Sequence, residues 1–263
     1  MLTSIIIILF IACIFLTIRF SIFLPAVKGL PVLMYHKVSP GLSDQLTISV
    51  QNIEKQFSYL SEKGYSCMTL NRIIDTKPVA LRKRAFMLTF DDAYVNILEY
   101  VYPLLQKYNF HATLMLPVGF LGKTNGWDNG DEPIMNYGQL RSMDSRYVSF
   151  GLHTYGHTSL KTASTAEIEA DIEKCRHELN RNGIPYLPVV AYPYGAYPRE
   201  AVLKAAFIKT LEKSGIILGL RIGNRVNKWP VKNRFEVKRI DIRGTDSLWA
   251  FKTKLKKGRV KMF

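Results

Sequence analysis

The chain has 263 residues and a formal net charge of +15 at pH 7. Hydrophobic residues make up 48% of it and charged residues 22%, which excludes a disordered polyelectrolyte and fits a globular fold. Without its apolar N-terminus, the chain is long enough to bury a full core as one domain, and α/β barrels reach this size undivided.

The positive charge is concentrated late in the chain and favours an anionic partner. A membrane surface with anionic lipids fits, since each nearby Lys or Arg contributes about 1 kcal/mol there. A solvated basic face explains the charge equally well. No zinc finger, helix-turn-helix or Gly-aromatic RNA motif is found, so we expect no nucleic-acid partner. The basic residues are Arg221, Arg225, Lys228, Lys232, Arg234, Lys238 and Arg239, then Lys252, Lys254, Lys256, Lys257, Arg259 and Lys261.

The N-terminal residues 1–27 are almost continuously apolar, with Arg19 as their only charged residue. A membrane span needs about 20 mainly apolar residues, and Arg19 lies where it can snorkel to the interface. We therefore expect an uncleaved single-pass anchor in the cell membrane. A cleaved signal peptide is the alternative, although a basic start and a small-residue cleavage site are missing. Basic residues after the span favour a cytoplasmic body.

Past this segment, predicted strands alternate with predicted helices. Such alternation predicts parallel strands joined by crossover helices, and the number of repeats favours an α/β fold with a barrel of about seven parallel strands. We divide the chain into an anchor (1–27), a main domain that would hold the barrel (28–245) and a C-terminal helix with a basic tail (246–263). Strands are predicted at 30–35, 86–90, 112–116, 147–152, 189–192 and 235–242, and helices at 52–63, 94–108, from Ser164 with a capping box to Glu167, 199–213 and 247–255.

Polar residues directly follow four of the predicted strands. In α/β barrels the chemistry lies where strands end, so we expect these side chains to meet at one end of the barrel. A loop over residues 119–138, rich in Gly, Asn and Asp, is expected to cover that end. The polar residues are His36, Asp91 with Asp92, His153 with His157, and Pro193 with Tyr194 and Gly195.

Asp92, His153 and His157 are candidate metal ligands. The two imidazoles lie four residues apart in HTYGH, and on one helical turn they would face the same way. Two histidines and one carboxylate suit a zinc-type site with open positions for water and substrate. Each motif is weak alone, because a pair of aspartates also fits a helix N-cap and two histidines also occur by chance on surfaces. Their joint placement on strand ends favours the metal site.

Three segments together resemble the polysaccharide deacetylase family, the NodB-homology domain of the carbohydrate esterase family 4 type. They are TFDDAY at 89–94, HTYGHTSL at 153–160 and AYPYGAY at 191–197. The segment PVLMYHKV at 31–38 resembles the start of the extracellular branch that acts on poly-N-acetylglucosamine. The resemblance covers about residues 30–242. It implies a body outside the cell, against the cytoplasmic placement favoured by the basic flank.

The resemblance implies a distorted (β/α) barrel that removes N-acetyl groups from N-acetylhexosamine units of a polysaccharide, oligosaccharide or lipid-linked glycan. It implies that Asp91 is the general base and that Asp92, His153 and His157 bind the metal, with the backbone N–H of Tyr194 in the oxyanion hole. The metal would be Zn²⁺, with Co²⁺ or Ni²⁺ as alternatives. We expect a monomer whose partner is an N-acetylated glycan.

The chain departs from the family pattern at two positions. Ala191 stands where many members carry an Arg that pairs with the base carboxylate, and Arg239 is a candidate substitute. Many members also carry a late Leu-x-His whose histidine is the general acid. The matching segment here reads IDIR at 240–243, and no histidine follows His177.

The proton donor to the leaving amine therefore needs another candidate. His36 serves if it faces the site, but it also fits a satisfied core histidine; Asp241 or a water is the alternative. Trp127, Pro193 and Arg239 are assigned to substrate binding, although a loop tryptophan often has no such role. The missing histidine keeps open a catalytically inactive glycan-binding barrel at the membrane. A deformylase or amidase acting on a lipid-linked sugar is the third alternative.

Overall fold

The computed structural model describes residues 3–11, 26–75 and 80–259. Strands and helices alternate through most of this part, as the hydrophobic pattern predicts. The strands are β1 (Val32–Tyr35), β2 (Lys37–Ser39), β3 (Thr47–Ser49), β4 (Ser66–Cys67), β5 (Ala85–Asp91), β6 (Ala112–Leu116), β7 (Val148–Leu152), β8 (Val189–Ala191), β9 (Leu218–Ile222) and β10 (Val237–Asp241).

Helices cover the outside of the strands. The α-helices are α1 (Val50–Glu62), α2 (Asn71–Ile74), α3 (Tyr102–Tyr108), α4 (Tyr137–Arg141), α5 (Thr165–Arg181), α6 (Ala201–Lys213) and α7 (Leu248–Lys257). A π-helix (Ile97–Val101) precedes α3, and single 3-10 turns lie at Val118–Phe120, Gly126–Asp128, Pro193–Gly195 and Arg234–Glu236.

Seven parallel strands in the described part, β1 and β5 to β10, close a barrel. Their order is β1-β10-β9-β8-β7-β6-β5, and β1 pairs in turn with β5, with Val32 opposite Met87 and Tyr35 opposite Phe90. The short β4 pairs with the beginning of β5 outside this ring. The predicted barrel of about seven parallel strands is confirmed. Because all seven strands run the same way, their carboxyl ends form one rim.

Alternation along each strand separates two apolar layers. Val32, Met87, Met115 and Leu220 belong to the cluster inside the barrel. Residues of the opposite parity, such as Leu33 and Phe90, pack with the helices in a larger cluster outside it. By the same alternation Arg239, two residues after the interior Val237, points into the barrel.

The capping box predicted for α5 is confirmed. Ser164 is the N-cap and accepts a hydrogen bond from the Glu167 N–H, while the Glu167 side chain accepts one from the Ser164 N–H at 2.7 Å. The buried face of the helix carries the apolar residues that the sequence pattern places together. These are Ile168, Ile172, Cys175 and Leu179.

The short elements β2, β3, β4, α2 and α4 were not predicted, and two longer elements also differ from the prediction. Residues 94–108 were expected to form one helix, but a π-turn, in which Tyr102 N–H donates to Ile97 C=O, precedes α3. Pro103, at the start of α3, lacks the N–H that a regular helical ladder would use there. The strand β9 was not predicted, because Gly219 interrupts its apolar run. A Cβ at Gly219 would lie 1.9 Å from the Tyr192 hydroxyl, so only glycine fits.

The predicted membrane anchor is not found. Within residues 3–11, 26–75 and 80–259, no helix is both long enough and apolar enough to cross a membrane. Residues 3–11 form a helix, and residues 1–2 and 12–25 of the predicted anchor lie outside the described residues. This finding overturns the predicted single-pass anchor and the cell-membrane localisation derived from it.

Candidate metal centre

The candidate metal ligands meet at the rim formed by the carboxyl ends of the strands. Asp92 follows β5 and His153 follows β7, and both side chains are buried, as is His157. Asp92 Oδ1 lies 3.5 Å from His153 Nε2 and 3.3 Å from His157 Nε2. One ligand atom from each of the three residues falls within 4.8 Å of the others. The structure therefore brings the three predicted ligands together.

His153 is oriented as a metal ligand by a backbone carbonyl. Its Nδ1 lies 2.9 Å from Ala191 C=O, and a carbonyl can only accept, so Nδ1 carries the hydrogen. Burial lowers the pKa of His153 and favours the neutral ring. The Nε2 lone pair then faces Asp92, in the arrangement that metal-binding histidines usually show.

His157 is held by two aromatic side chains from different loops. The Trp127 ring stacks on the imidazole with centroids 4.3 Å apart and an interplanar angle of 23°. The Tyr194 hydroxyl lies 3.2 Å from His157 Nδ1. If Nδ1 donates to that hydroxyl, Nε2 is the atom left to bind a metal. The predicted loop over residues 119–138 thus reaches the site through Trp127.

The donor set fits a divalent cation. Asp92 Oδ1 is buried and, among the described residues, makes no hydrogen bond of normal geometry. Leaving a buried carboxylate oxygen unsatisfied is costly, and a cation between the carboxylate and the two imidazoles would satisfy it. Two imidazole nitrogens and one carboxylate are a ligand set of catalytic zinc sites. The choice among Zn²⁺, Co²⁺ and Ni²⁺ stays a prediction.

The HTYGH segment is a loop, so the predicted helical turn is wrong. Thr154 and His157 have left-handed backbone angles, with φ of 64° and 51°. The neighbouring segment fixes this path, because Val118 N–H donates to Thr154 C=O and Gly119 N–H to Tyr155 C=O. Such angles cost about 1–3 kcal/mol each and cluster at functional sites.

Asp91 is paired with a buried arginine. Arg239 has no exposed surface, and both of its Nη groups donate to the Asp91 carboxylate, Nη2 at 2.8 Å from Oδ2. Burial alone would raise the pKa of Asp91, but the charge and hydrogen bonds of Arg239, together with the nearby His153 and His36, outweigh it and the pKa falls well below its ordinary value. Arg239 therefore lies where it can replace the arginine missing at Ala191. Arg239 was predicted to contact the substrate, but it is fully buried. Any effect of Arg239 on the substrate would therefore act through Asp91.

His36 faces the site. Its Nε2 lies 3.9 Å from Asp91 Oδ2, and its side chain is 15% exposed. The other predicted proton donor, Asp241, at the end of β10, is engaged by Arg243, whose Nε lies 3.0 Å from Asp241 Oδ2. The Asp241 carboxylate is thus paired with Arg243, whereas His36 Nε2 lies beside Asp91.

Two residues near the site were missed from the sequence. Tyr94 is buried beside Asp92; burial and the Asp92 charge raise the pKa of its hydroxyl, so it stays protonated. Asp171 on α5 accepts a hydrogen bond from the Tyr155 N–H at 2.9 Å, within the loop that carries the histidines. The sequence signal for Asp171 was its position directly before Ile172, which placed a carboxylate at the edge of the buried helix face.

The fold and the site define the class of the protein as a parallel α/β barrel with a buried Asp-His-His group at its rim that could hold a metal ion. A family model described as polysaccharide deacetylase matches residues 79–210, half of the chain. The chain therefore belongs to the polysaccharide deacetylase family.

Curated relatives and solved structures agree with this assignment. The Bacillus subtilis (strain 168) protein YxkH, named as a polysaccharide deacetylase, is 28% identical over 196 residues, 73% of this chain and 63% of that protein. A poly-β-1,6-N-acetyl-D-glucosamine N-deacetylase of Staphylococcus epidermidis is 26% identical over 189 residues, 67% of this chain and 61% of that protein. The chain thus spans less than two thirds of the length of both relatives.

The fold is shared with the structure of IcaB from Ammonifex degensii. The TM-score is 0.72 at 20% sequence identity, and the match covers 88% of this chain and 97% of that chain. At this identity the likeness concerns the fold.

Proposed function

We propose that this protein is a metal-dependent hydrolase that removes N-acetyl groups from N-acetylhexosamine units of a polysaccharide. The observation that carries the proposal is the buried Asp92-His153-His157 group beside the Asp91–Arg239 pair. Family membership supports a carbohydrate deacetylase, and the name of the Staphylococcus epidermidis relative supports poly-N-acetylglucosamine as the substrate class.

Asp91 is proposed as the general base. A divalent metal held by the three ligands would act as a Lewis acid on the amide carbonyl and on the attacking water. The pKa of Asp91 is held below its ordinary value, so its carboxylate is in the proton-accepting form at neutral pH. The Arg239 pair fixes its orientation, and a carboxylate that is not itself a ligand can take the proton of the water.

Tyr194 is proposed to stabilise the oxyanion through its backbone N–H. Tyr194 lies in the turn Pro193–Gly195 with φ of 58°, and its own side chain contacts His157. The turn is fixed by hydrogen bonds from Gly195 N–H to Tyr192 C=O at 2.9 Å and from Ala196 N–H to Pro193 C=O at 3.0 Å. A fixed N–H can stabilise developing negative charge without reorganising during the reaction.

His36 is proposed to protonate the leaving amine. It approaches the Asp91 carboxylate from the end of β1, with Nε2 3.9 Å from Asp91 Oδ2. This placement supplies a proton donor that the missing late histidine would otherwise provide.

The sugar is proposed to contact the exposed side of the aromatic residues at the rim. Tyr194 is 59% exposed and is the more accessible ring. Trp127 is half-buried, and one face of its indole is already occupied by His157. Pro193 is buried and shapes the turn beneath Tyr194.

Acetate release by the full chain tests the proposal. The substrates are poly-β-1,6-N-acetylglucosamine, chitin oligosaccharides and an N-acetylated monosaccharide, each with added Zn²⁺ and with a chelator. We expect zinc-dependent release from the polymer and little from the monosaccharide. Zinc-loaded, folded protein that releases no acetate from any of them would contradict the proposal.

A further inference from the structure

A carboxylate lies behind the loop that carries both histidine ligands. Asp171 Oδ1, on helix α5, accepts the Tyr155 N–H at 2.9 Å. The next N–H, that of Gly156, lies near the same carboxylate and favours its charged form. Two consecutive backbone N–H groups pointing at one anion form an anion-binding nest. Helix α5 thus holds the loop by binding the backbone of the loop through the side chain of Asp171.

The two anchored residues lie between the metal ligands. Tyr155 and Gly156 separate His153 from His157, and the left-handed angles at Thr154 and His157 flank them. On the opposite side, Gly119 N–H donates to Tyr155 C=O at 2.8 Å. The peptide is therefore held from both sides in a path that a free chain would rarely adopt.

Within its own helix, Asp171 Oδ1 accepts a long, weak contact from Cys175 Sγ at 3.9 Å. Of the side chains around it, Lys174 supplies the nearby positive charge, and no ion pair within 4.0 Å is found for Asp171 in the described residues. Burial raises the pKa of Asp171 in spite of the backbone N–H groups of Tyr155 and Gly156, which favour its charged form. Burying part of a carboxylate is unfavourable unless hydrogen bonds satisfy it. For Asp171, hydrogen bonding comes from the backbone of the 153–157 loop.

We propose that Asp171 is a positioning residue that holds the 153–157 loop in its metal-binding conformation. The inference depends on the metal centre proposed above. Without the carboxylate, the loop relaxes from its left-handed angles, and the two imidazoles no longer converge on Asp92. Loss of an outer-shell partner of a metal site typically weakens metal binding about 10–100-fold.

The test is the zinc affinity of the full chain, measured by competition with a chromophoric chelator. We expect Asp171→Ala to weaken zinc binding about 10–100-fold, with activity recovering at high zinc. Asp171→Asn keeps one acceptor oxygen and should fall between Asp171→Ala and the wild type. Glu173→Ala is the matched control, because Glu173 is an exposed carboxylate on the same helix whose nearest basic group, Arg176 Nη1, lies 3.7 Å away. It should bind zinc as the wild type does.

The thermal midpoint of the metal-free proteins separates positioning from general destabilisation. If Asp171 is a positioning residue, its variants should lose zinc affinity while the thermal midpoint changes little. If Asp171 only stabilises the fold, the loss of zinc affinity should follow the fall in the midpoint. Wild-type affinity in both Asp171 variants, or in Asp171→Asn alone if Asp171→Ala does not fold, overturns the inference. Asp92→Asn separates the two proposals. If it too binds zinc normally, the metal centre itself is wrong, and if it loses zinc while the Asp171 variants keep it, only the positioning role fails.

Discussion

Arg239 donates two hydrogen bonds to Asp91 across β1, the strand that separates β10 from β5 in the barrel. The pair lies inside the barrel, just below the metal ligands. Arg239 fixes both oxygens of Asp91, which is not one of the residues of the Asp92-His153-His157 group. Arg239 therefore lies where it can replace, from a different strand, the arginine that the family resemblance leads us to expect at the position of Ala191.

Removing Arg239 should destabilise the fold. Arg239→Met leaves Asp91 buried without its counter-charge, and breaking such a pair costs about 3–5 kcal/mol. The double variant Arg239→Met with Asp91→Asn removes that charge and should recover part of the loss. Urea denaturation of the metal-free proteins measures both. A single variant as stable as the wild type, or a double variant no better than the single one, would count against the pair.

His36→Gln should lower turnover with metal content near normal, because His36 contacts Asp91 and is not one of the three ligands. The loss expected for a general acid is about 10²–10⁴-fold. His177→Gln, an exposed histidine on α5, is the control and should have wild-type turnover. Unchanged turnover in His36→Gln would remove it from the mechanism and leave Asp241 or a water as proton donor.

Because of His111, we expect the free energy of unfolding to fall in mild acid. Burial lowers the pKa of its ring from the ordinary 6.5, and the ring contacts Ser149 Oγ at 3.0 Å. The unfolded chain therefore binds a proton more readily than the folded one as pH falls through 6.5. His111→Gln should lose less stability than the wild type between about pH 7.5 and pH 5. Equal losses in denaturant titrations at the two pH values would show that His111 contributes nothing.

The rim of the barrel was predictable because strand ends are encoded locally. Asp91, Asp92 and His153 each come at or directly after the end of an apolar strand, and parallel strands bring such positions together. Local signals also placed α5, whose capping box and apolar face are contained in one short segment.

The remaining features depend on contacts between distant segments. The loop with left-handed angles at Thr154 and His157 is hydrogen-bonded to Val118, Gly119 and Asp171 from other elements, and the spacing of the histidines alone suggested a helical turn instead. The strand β9 was missed because a glycine required by packing against Tyr192 masks its apolar pattern.

The ligands and the base should respond differently to substitution. Asp92→Asn, His153→Ala and His157→Ala each remove a ligand, so they should lose metal first and activity as a consequence. Their activity should be partly recovered at high zinc, because metal binding to a weakened site is driven by concentration.

The zinc content of Asp91→Asn and Asp92→Asn, measured beside acetate release, tests the central claim most directly. The two carboxylates are neighbours, yet only Asp92 belongs to the ligand group, and Asp91 is paired with Arg239. Asp91→Asn should keep close to one zinc per chain and lose about 10²–10⁴ in rate, whereas Asp92→Asn should lose the zinc. If Asp91→Asn loses zinc while Asp92→Asn keeps it, the two roles are reversed, and if both variants keep metal and activity, the site lies elsewhere.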